Sequence, residues 1–341
     1  MVFILSKLYQ ILPERVKNHK IVIESVQRFN NNNKFKEIET HYMMLDLIFN
    51  SCEIKATGTM RDKQLLITEL LKLFDYICKK NNIEYWMDYG TLLGATRHKG
   101  FVPWDDDLDL SMMKEDYNRF IEIFPKEIEE IDELKDKIVI SKLTKPHENY
   151  PEGSNEIDLM NHGMFNLFFQ FAYKKPFVHF DIIPKEYILD EGLTPTRNDM
   201  QTKLQVELRD KIASGDWTFD EGMEIQRQKM KFTYEKTEHI SDSIDGLHNN
   251  IHNRIFETKT VFPLETKIFE GVELPCPYDS NTYLSLIYGP EYMHIPRITH
   301  DHITTDFIKG QYDDNQKAID EGFKDAINLV KSVNERLKIE E

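Results

Sequence analysis

Asp107-Leu108-Asp109-Leu110 alternates carboxylate with apolar side chain, and that alternation decides what chemistry the run can serve. As a strand it turns both carboxylates to one face, their backbone positions roughly 6.6 Å apart. Convergent carboxylates hold a hard cation, or a pair of them, through oxygen. Leu108 and Leu110 would anchor the opposite face in the core, where unpaired charge is costly. A solvated acidic turn is the competing use of the same residues. A calcium loop is not: Asp105, Asp107, Asp109 and Asp116 suit an EF-hand count, but Leu110 stands where the sharp turn requires glycine.

Upstream, Ile83, Tyr85, Met87 and Tyr89 alternate with Glu84, Trp86 and Asp88 in the period of a strand. Gly90-Thr91 breaks the pattern, and Leu92-Leu93-Gly94-Ala95 reads as the first turn of a helix. Glycine followed by a small hydroxyl residue at such a turn lets backbone N–H groups approach a phosphate. Gly90 and Thr91 are therefore candidate substrate-binding residues. Arg97, His98 and Lys99 form a cationic run beside the acidic one. Arg97 can grip a phosphate bidentately and Lys99 offers a point charge, while an exposed basic loop offsetting the aspartates is the alternative. Asp88 suits either a substrate contact or a structural hydrogen bond. Asp105 and Asp106 can orient the loop or act as outer ligands. Trp86 and Trp104 bracket the motif, and Trp104 is counted among the substrate-binding candidates. Core packing is the ordinary use of both, but an aromatic face would attract a quaternary ammonium group. His300 and His302, after Arg297, make one H-x-H, too few ligands for a metal site on their own.

The run DYGTLLGATRHKGFVPWDDDLDL closely resembles the signature of the LicD/fukutin-related family of nucleotidyltransferase-fold enzymes. The resemblance continues at Val178-His179-Phe180-Asp181-Ile182-Ile183-Pro184, at Phe262-Pro263-Leu264 through Phe269-Glu270-Gly271-Val272, and at Tyr283-Leu284 through Tyr288-Gly289. It implies a small mixed sheet carrying the Gly-Thr turn, two carboxylates on one strand and a third on a neighbour. Asp107, Asp109 and Asp181 match those positions as catalytic residues and as ligands of Mg2+ or Mn2+, with Asp181 the first choice of base. The implied reaction moves a phospho-alcohol such as phosphocholine from a CDP-activated donor to a glycan or glycolipid hydroxyl, in cell-surface polysaccharide or lipopolysaccharide biosynthesis. Transfer of a whole nucleotide with pyrophosphate release, and a non-catalytic scaffold of glycan assembly, are the alternatives. A glycosyltransferase using a DxD motif fits less well with the Gly-Thr turn upstream and the third Asp downstream.

The chain has 341 residues, 40% hydrophobic and 30% charged, enough for one large or two modest domains. A net charge of -16 argues against nucleic acid or an anionic bilayer as a general partner. Three widely spaced cysteines, Cys52, Cys78 and Cys276, form neither a disulfide framework nor a zinc spacing. The opening stretch lacks a long apolar core or a clear cleavage site, and no stretch reaches the roughly 20 apolar residues of a transmembrane helix. The expected location is cytoplasmic, with room for peripheral attachment at the inner face of the membrane.

The expected fold is α+β: a nucleotidyltransferase-like mixed sheet with flanking helices and helical extensions at both ends. Residues 1–60 read as a helical appendage open to oligomerisation, with His41–Phe49 one of its helices. Residues 61–305 form the catalytic domain and 306–341 a C-terminal helix. Over Asp62–Lys80 the helical period is clear: Leu66, Leu70, Leu73 and Ile77 form one row, and Ile67, Leu71, Phe74 and Cys78 the next. A helix over Glu115–Ile131 is expected to break at Pro125, and Ile138-Val139-Ile140 to form a short strand. Residues 144–163 read as a loop, and Met200–Glu238 as one or two helices covering the sheet. Ile319, Phe323, Ile327 and Val330 repeat at helical spacing in the tail.

Overall fold

The computed structural model describes residues 43–47, 54–142, 167–171, 178–243, 254–294 and 316–339. Two compact units divide the chain, Met1–Glu53 and Ile54–Glu341. In the first, residues 43–47 are helical; the rest of the expected appendage up to residue 53 lies outside the described residues. So do the 144–163 loop, Arg297, His300 and His302.

The second unit begins with α1 (Thr59–Lys80), whose two apolar rows are almost wholly buried. Asp62 in its first turn and Lys79 and Lys80 in its last complement the helix dipole. Asn81 caps it, and Tyr85 donates its hydroxyl to Asp75 at 2.8 Å, folding the chain back on the helix. Then come β1 (Trp86–Met87), α2 (Tyr89–His98), β2 (Leu108–Met113) and α3 (Lys114–Glu129). The strand expected over Ile83–Tyr89 is shorter than its alternation suggests. Asp88 caps α2, so the helix opens at Tyr89 and takes Gly90 and Thr91 into its first turn.

Nor does α3 break at Pro125, which lies inside the helix. An interior proline costs about 3 kcal/mol. Phe120, Phe124 and Ile128 form a buried stripe that spans it, and that packing holds the helix continuous.

β3 (Ile138–Lys142), β4 (Leu167–Phe171) and β5 (His179–Ile188) complete the central sheet, in the order β1-β2-β5-β4-β3. β2 and β5 run parallel, and the other neighbours on this path pair antiparallel. β5 is long enough to change partners. Its end pairs with β6 (Phe232–Thr233) and β7 (His239–Asp242), and β7 pairs with β8 (Ile255–Glu257). Between them, α4 (Arg197–Ala213) and α5 (Phe219–Lys229) close a small separate core of Ile188, Leu204, Leu208, Met223, Met230 and Phe232.

After a short helix α6 (Thr258–Val261), β9 (Glu265–Phe269) and β10 (Val272–Cys276) make a hairpin. Its two turn residues, Glu270 and Gly271, have φ of 50° and 86°, the backbone that tight hairpins require. α7 (Ser280–Tyr288) follows, and α8 (Gln316–Leu337) ends the described fold. α8 packs back on α1, where Asn334 donates to the Glu69 carbonyl at 2.9 Å and its carboxylate at 3.0 Å. The C-terminal helix is thus part of the same compact unit as the sheet. The mixed sheet and flanking helices agree with the expected fold class. Among the described residues, no helix is long and apolar enough to cross a membrane.

Candidate active site

The parallel pairing of β2 and β5 places Asp109 directly opposite Asp181. Neighbouring strands lie about 4.8 Å apart, so residues far separated in the chain become closest neighbours across the sheet. Leu108 and Leu110 are buried on the other face, as the alternation requires. Asp107 sits at the bend just before β2 rather than within it. The Asp109 carboxyl is held well above the usual carboxylate range by burial, then by the negative charges of Asp107, Asp181, Asp105 and Asp88.

Gly90 shapes the other wall. Its N–H donates to Asp109 Oδ2 at 2.9 Å, and the Asp109 N–H donates to the Thr91 hydroxyl at 2.8 Å. A Cβ at Gly90 would stand 2.7 Å from Asp105 Oδ2 and 3.2 Å from Asp109 Oδ2. Any larger residue would push those carboxylates away. The Gly-Thr turn expected to meet phosphate thus holds Asp109 instead, its N–H and hydroxyl both committed to that residue.

Asp105 is therefore at the site, whereas its neighbour Asp106 is not. Asp106 is buried and paired with Lys63 at 2.6 Å. Gln64 donates to the Asp105 carbonyl at 2.9 Å, so α1 anchors the acidic loop from below.

Asp88 is fully buried and bonded on every side. It accepts from the Tyr89 N–H at 2.7 Å and the Ser111 hydroxyl at 2.6 Å, and pairs with Lys185 at 2.8 Å. Lys185, with no exposed surface, also pairs with Asp242, which accepts the Tyr89 hydroxyl at 2.9 Å. Burial opposes the Lys185 charge, but Asp242 and Asp88 raise its ammonium well above the ordinary value. Of the two readings of Asp88, the structural hydrogen bond is the one its surroundings support. Lys185 and Asp242 had no sequence signal, because each makes sense only beside the other.

The cationic run lies at the other end of α2, seven residues and about 10 Å along the axis from Gly90. Arg97 donates to the carbonyls of Tyr292 at 2.9 Å and His294 at 3.1 Å, and to His98 Nε2 at 2.8 Å. Burial, then the Arg97 charge, lowers His98 to about 4. Lys99 is exposed and caps the helix with φ 55°. Of the expected diphosphate contacts, Arg97 is thus turned to the 289–294 segment. Trp86 is core, packed edge-on to Phe262 with centroids 5.6 Å apart, while Trp104 is half-buried in the loop before the aspartates.

Two further residues, one near the acidic cluster and one over Tyr89, carry little local sequence signal. Tyr288, at the end of α7, is 44% exposed. Crowding by the surrounding protein, then the charges of Asp109, Asp105 and Asp88, holds its phenol well above the ordinary value. Arg254 lies over the Tyr89 ring, 5.7 Å from its centroid. The family-like Tyr288-Gly289 pair hinted at the first; nothing local pointed to the second.

Among the described residues, no three His, Cys, Asp or Glu side chains are already gathered as a metal-binding group. The cluster of Asp105, Asp107, Asp109 and Asp181 nevertheless offers only carboxylate oxygen, the donor chemistry that suits a hard divalent cation. It does not suit zinc held by thiolate or imidazole.

Residues 82–150 match the family model described as LicD/FKTN/FKRP, nucleotidyltransferase domain. That stretch of the chain is similar to a LicD-type domain. The matched stretch includes Asp88, Gly90, Thr91, the Arg97–Lys99 run, Asp107 and Asp109, and stops before Asp181. The lipopolysaccharide cholinephosphotransferase LicD of Haemophilus influenzae is 43% identical over 72 residues, 21% of this chain and 27% of that protein. An uncharacterized protein of Rickettsia typhi is 42% identical over 77 residues, 23% of this chain and 25% of its own. Human ribitol 5-phosphate transferase FKRP is 50% identical over 34 residues, 10% of this chain and 7% of its own. The chain thus spans about a quarter of the first two relatives and far less of the third. Outside the matched residues, β5 brings Asp181 to the acidic cluster and the end of α7 brings Tyr288 near it, while Arg254, just before β8, lies over the Tyr89 ring.

Proposed function

We propose that the protein is a metal-dependent transferase that moves a phospho-alcohol from a CDP-activated donor to a glycan hydroxyl. The observation that carries this reading is the Asp109–Asp181 register across parallel β2 and β5, with Asp107 and Asp105 beside it. The named relatives, a cholinephosphotransferase and a ribitol 5-phosphate transferase, supply the reaction class.

Asp107, Asp109 and Asp181 would hold Mg2+ or Mn2+, with Asp105 close enough to orient them. When bound, such a cation would neutralise donor phosphate charge and acidify an acceptor hydroxyl. The chain's own work is positional. Gly90 N–H fixes the Asp109 carboxylate, Gln64 and Lys63 fix the acidic loop, and Lys185 locks the cap of α2 through Asp88. The Asp181 carboxylate, on the strand beside Asp109, accepts the acceptor hydroxyl's proton. The phosphorus–oxygen bond to the new alcohol forms as the bond to CMP breaks.

The test is a donor screen with CDP-choline, CDP-ethanolamine, CDP-glycerol and CDP-ribitol, following CMP release with Mg2+ or Mn2+ and a glycan acceptor. One of these should be turned over, with chelator abolishing the reaction. Pyrophosphate release from a nucleoside triphosphate, with no CMP from any CDP donor, would replace this reading with nucleotidyl transfer.

A further inference from the structure

We propose that Arg254 is the residue that grips the phosphate groups of the substrate beside the acidic cluster. The proposal rests on the transferase reading and adds a residue that lies outside the matched domain.

Its first support is what Arg254 does not face. The chain has 59 acidic against 43 basic residues, so arginines should find carboxylates easily. Arg61, Arg119, Arg227 and Arg336 do, pairing with Glu270, Asp116, Glu186 and Glu133, while Arg97 and Arg197 each donate to two backbone carbonyls instead. Among the described residues Arg254 forms no such pair. Its one hydrogen bond to the described residues runs from Nη2 to the Ile287 carbonyl at 3.3 Å, and it lies over the Tyr89 ring. A guanidinium has five N–H donors, so the described residues use only a small part of this fork.

The second support is where those contacts fix it. Ile287 precedes Tyr288, whose phenol senses Asp109 and Asp105; Tyr89 precedes Gly90, whose N–H donates to Asp109 and which leaves no room for a Cβ beside Asp105. Arg254 is therefore tied to the two segments that border the cluster. Asp242 ends β7, whose partner β8 begins just after Arg254, but Lys185 and the Tyr89 hydroxyl already occupy that carboxylate. The buried lysine thereby leaves Arg254 for an incoming anion.

Tyr89 supplies the third. Its φ of 34° is uncommon outside glycine, and such strain survives only where surroundings over-determine it. The Asp242 bond and the Lys185 ammonium, 5.0 Å from the ring centroid, hold the ring that Arg254 stacks on. A planar guanidinium on a fixed aromatic face is pre-organised for bidentate phosphate binding.

The experiment is calorimetric titration of the full chain with CDP and, separately, with inorganic pyrophosphate, each with Mn2+. Arg254→Gln keeps a donor for Ile287 but removes the charge. It should weaken both ligands about tenfold and flatten the salt dependence of binding, with the melting temperature unchanged. Arg254→Lys should recover part of the loss, which a purely packing role would not grant. Wild-type-like affinity in Arg254→Gln overturns the proposal, as does equal weakening in Arg254→Lys. If wild type binds pyrophosphate through Arg254 but not CDP, the donor reading falls and the anion site stands. If it binds neither, both fall.

Discussion

The two ends of α2 contain opposite chemistry within ten residues. At the N-terminal end, Gly90 and Thr91 fasten Asp109, and Asp109 meets Asp181 across the sheet. At the C-terminal end, Arg97 donates to His98 and fastens the 289–294 turn. Both ends are polar and partly buried, yet only the first leaves like charges crowded against one another. Crowded carboxylates store repulsion that a cation relieves; a guanidinium on carbonyls is already satisfied. The comparison teaches that charge type alone does not mark a reactive site. The state in which the fold leaves that charge does.

The strongest way to break the comparison is Asp109→Asn, which keeps the shape and removes the charge. Donor turnover should fall roughly a thousandfold or more with the fold intact, checked by CMP release and thermal melting. Near-normal turnover at saturating metal would move the chemistry away from this end of α2.

Lys185→Met tests what holds that end in place. It strands Asp88 and Asp242 as buried like charges, so stability should drop by about 3–5 kcal/mol in urea unfolding. A drop below about 1 kcal/mol would mean that the α2 cap does not depend on this lysine.

The basic end makes a gentler prediction. His98 titrates near 4 in the fold against an ordinary 6.5, so its neutral form is favoured there. Its contribution is complete above pH 6.5 and is lost as pH falls toward 4, because the unfolded chain then binds the extra proton. Allowing for solvent screening, that loss is about 2 kcal/mol. His98→Gln should flatten the stability profile in this window, and an unchanged slope would reassign the acid sensitivity elsewhere.

Arg97→Ala sharpens the contrast with the smallest effect. It should cost about 1 kcal/mol through the freed 289–294 turn and leave CDP affinity within twofold of wild type. A large loss of CDP affinity would return Arg97 to the substrate side.

Local pattern alone determined a good deal. The apolar rows of α1, the buried face of β2 and the C-terminal helix follow from side-chain period, which is a property of neighbouring residues. The Asp107–Asp109 spacing was legible for the same reason, whereas the carboxylates that crowd position 90 come from residues 105 and 109 and were not. Pro125 misled because a buried stripe spanning it is an energy of packing, not of propensity. Only the tertiary structure decided that Asp181 lies beside Asp109, since parallel register joins strands far apart in the chain. It likewise decided which cations are occupied. Arg97 meets carbonyls, Lys185 disappears between Asp88 and Asp242, and Arg254 is left facing the ring of Tyr89. A charged side chain's role depends on which distant backbone or carboxylate the fold brings to it, and no spacing along the chain encodes that partner.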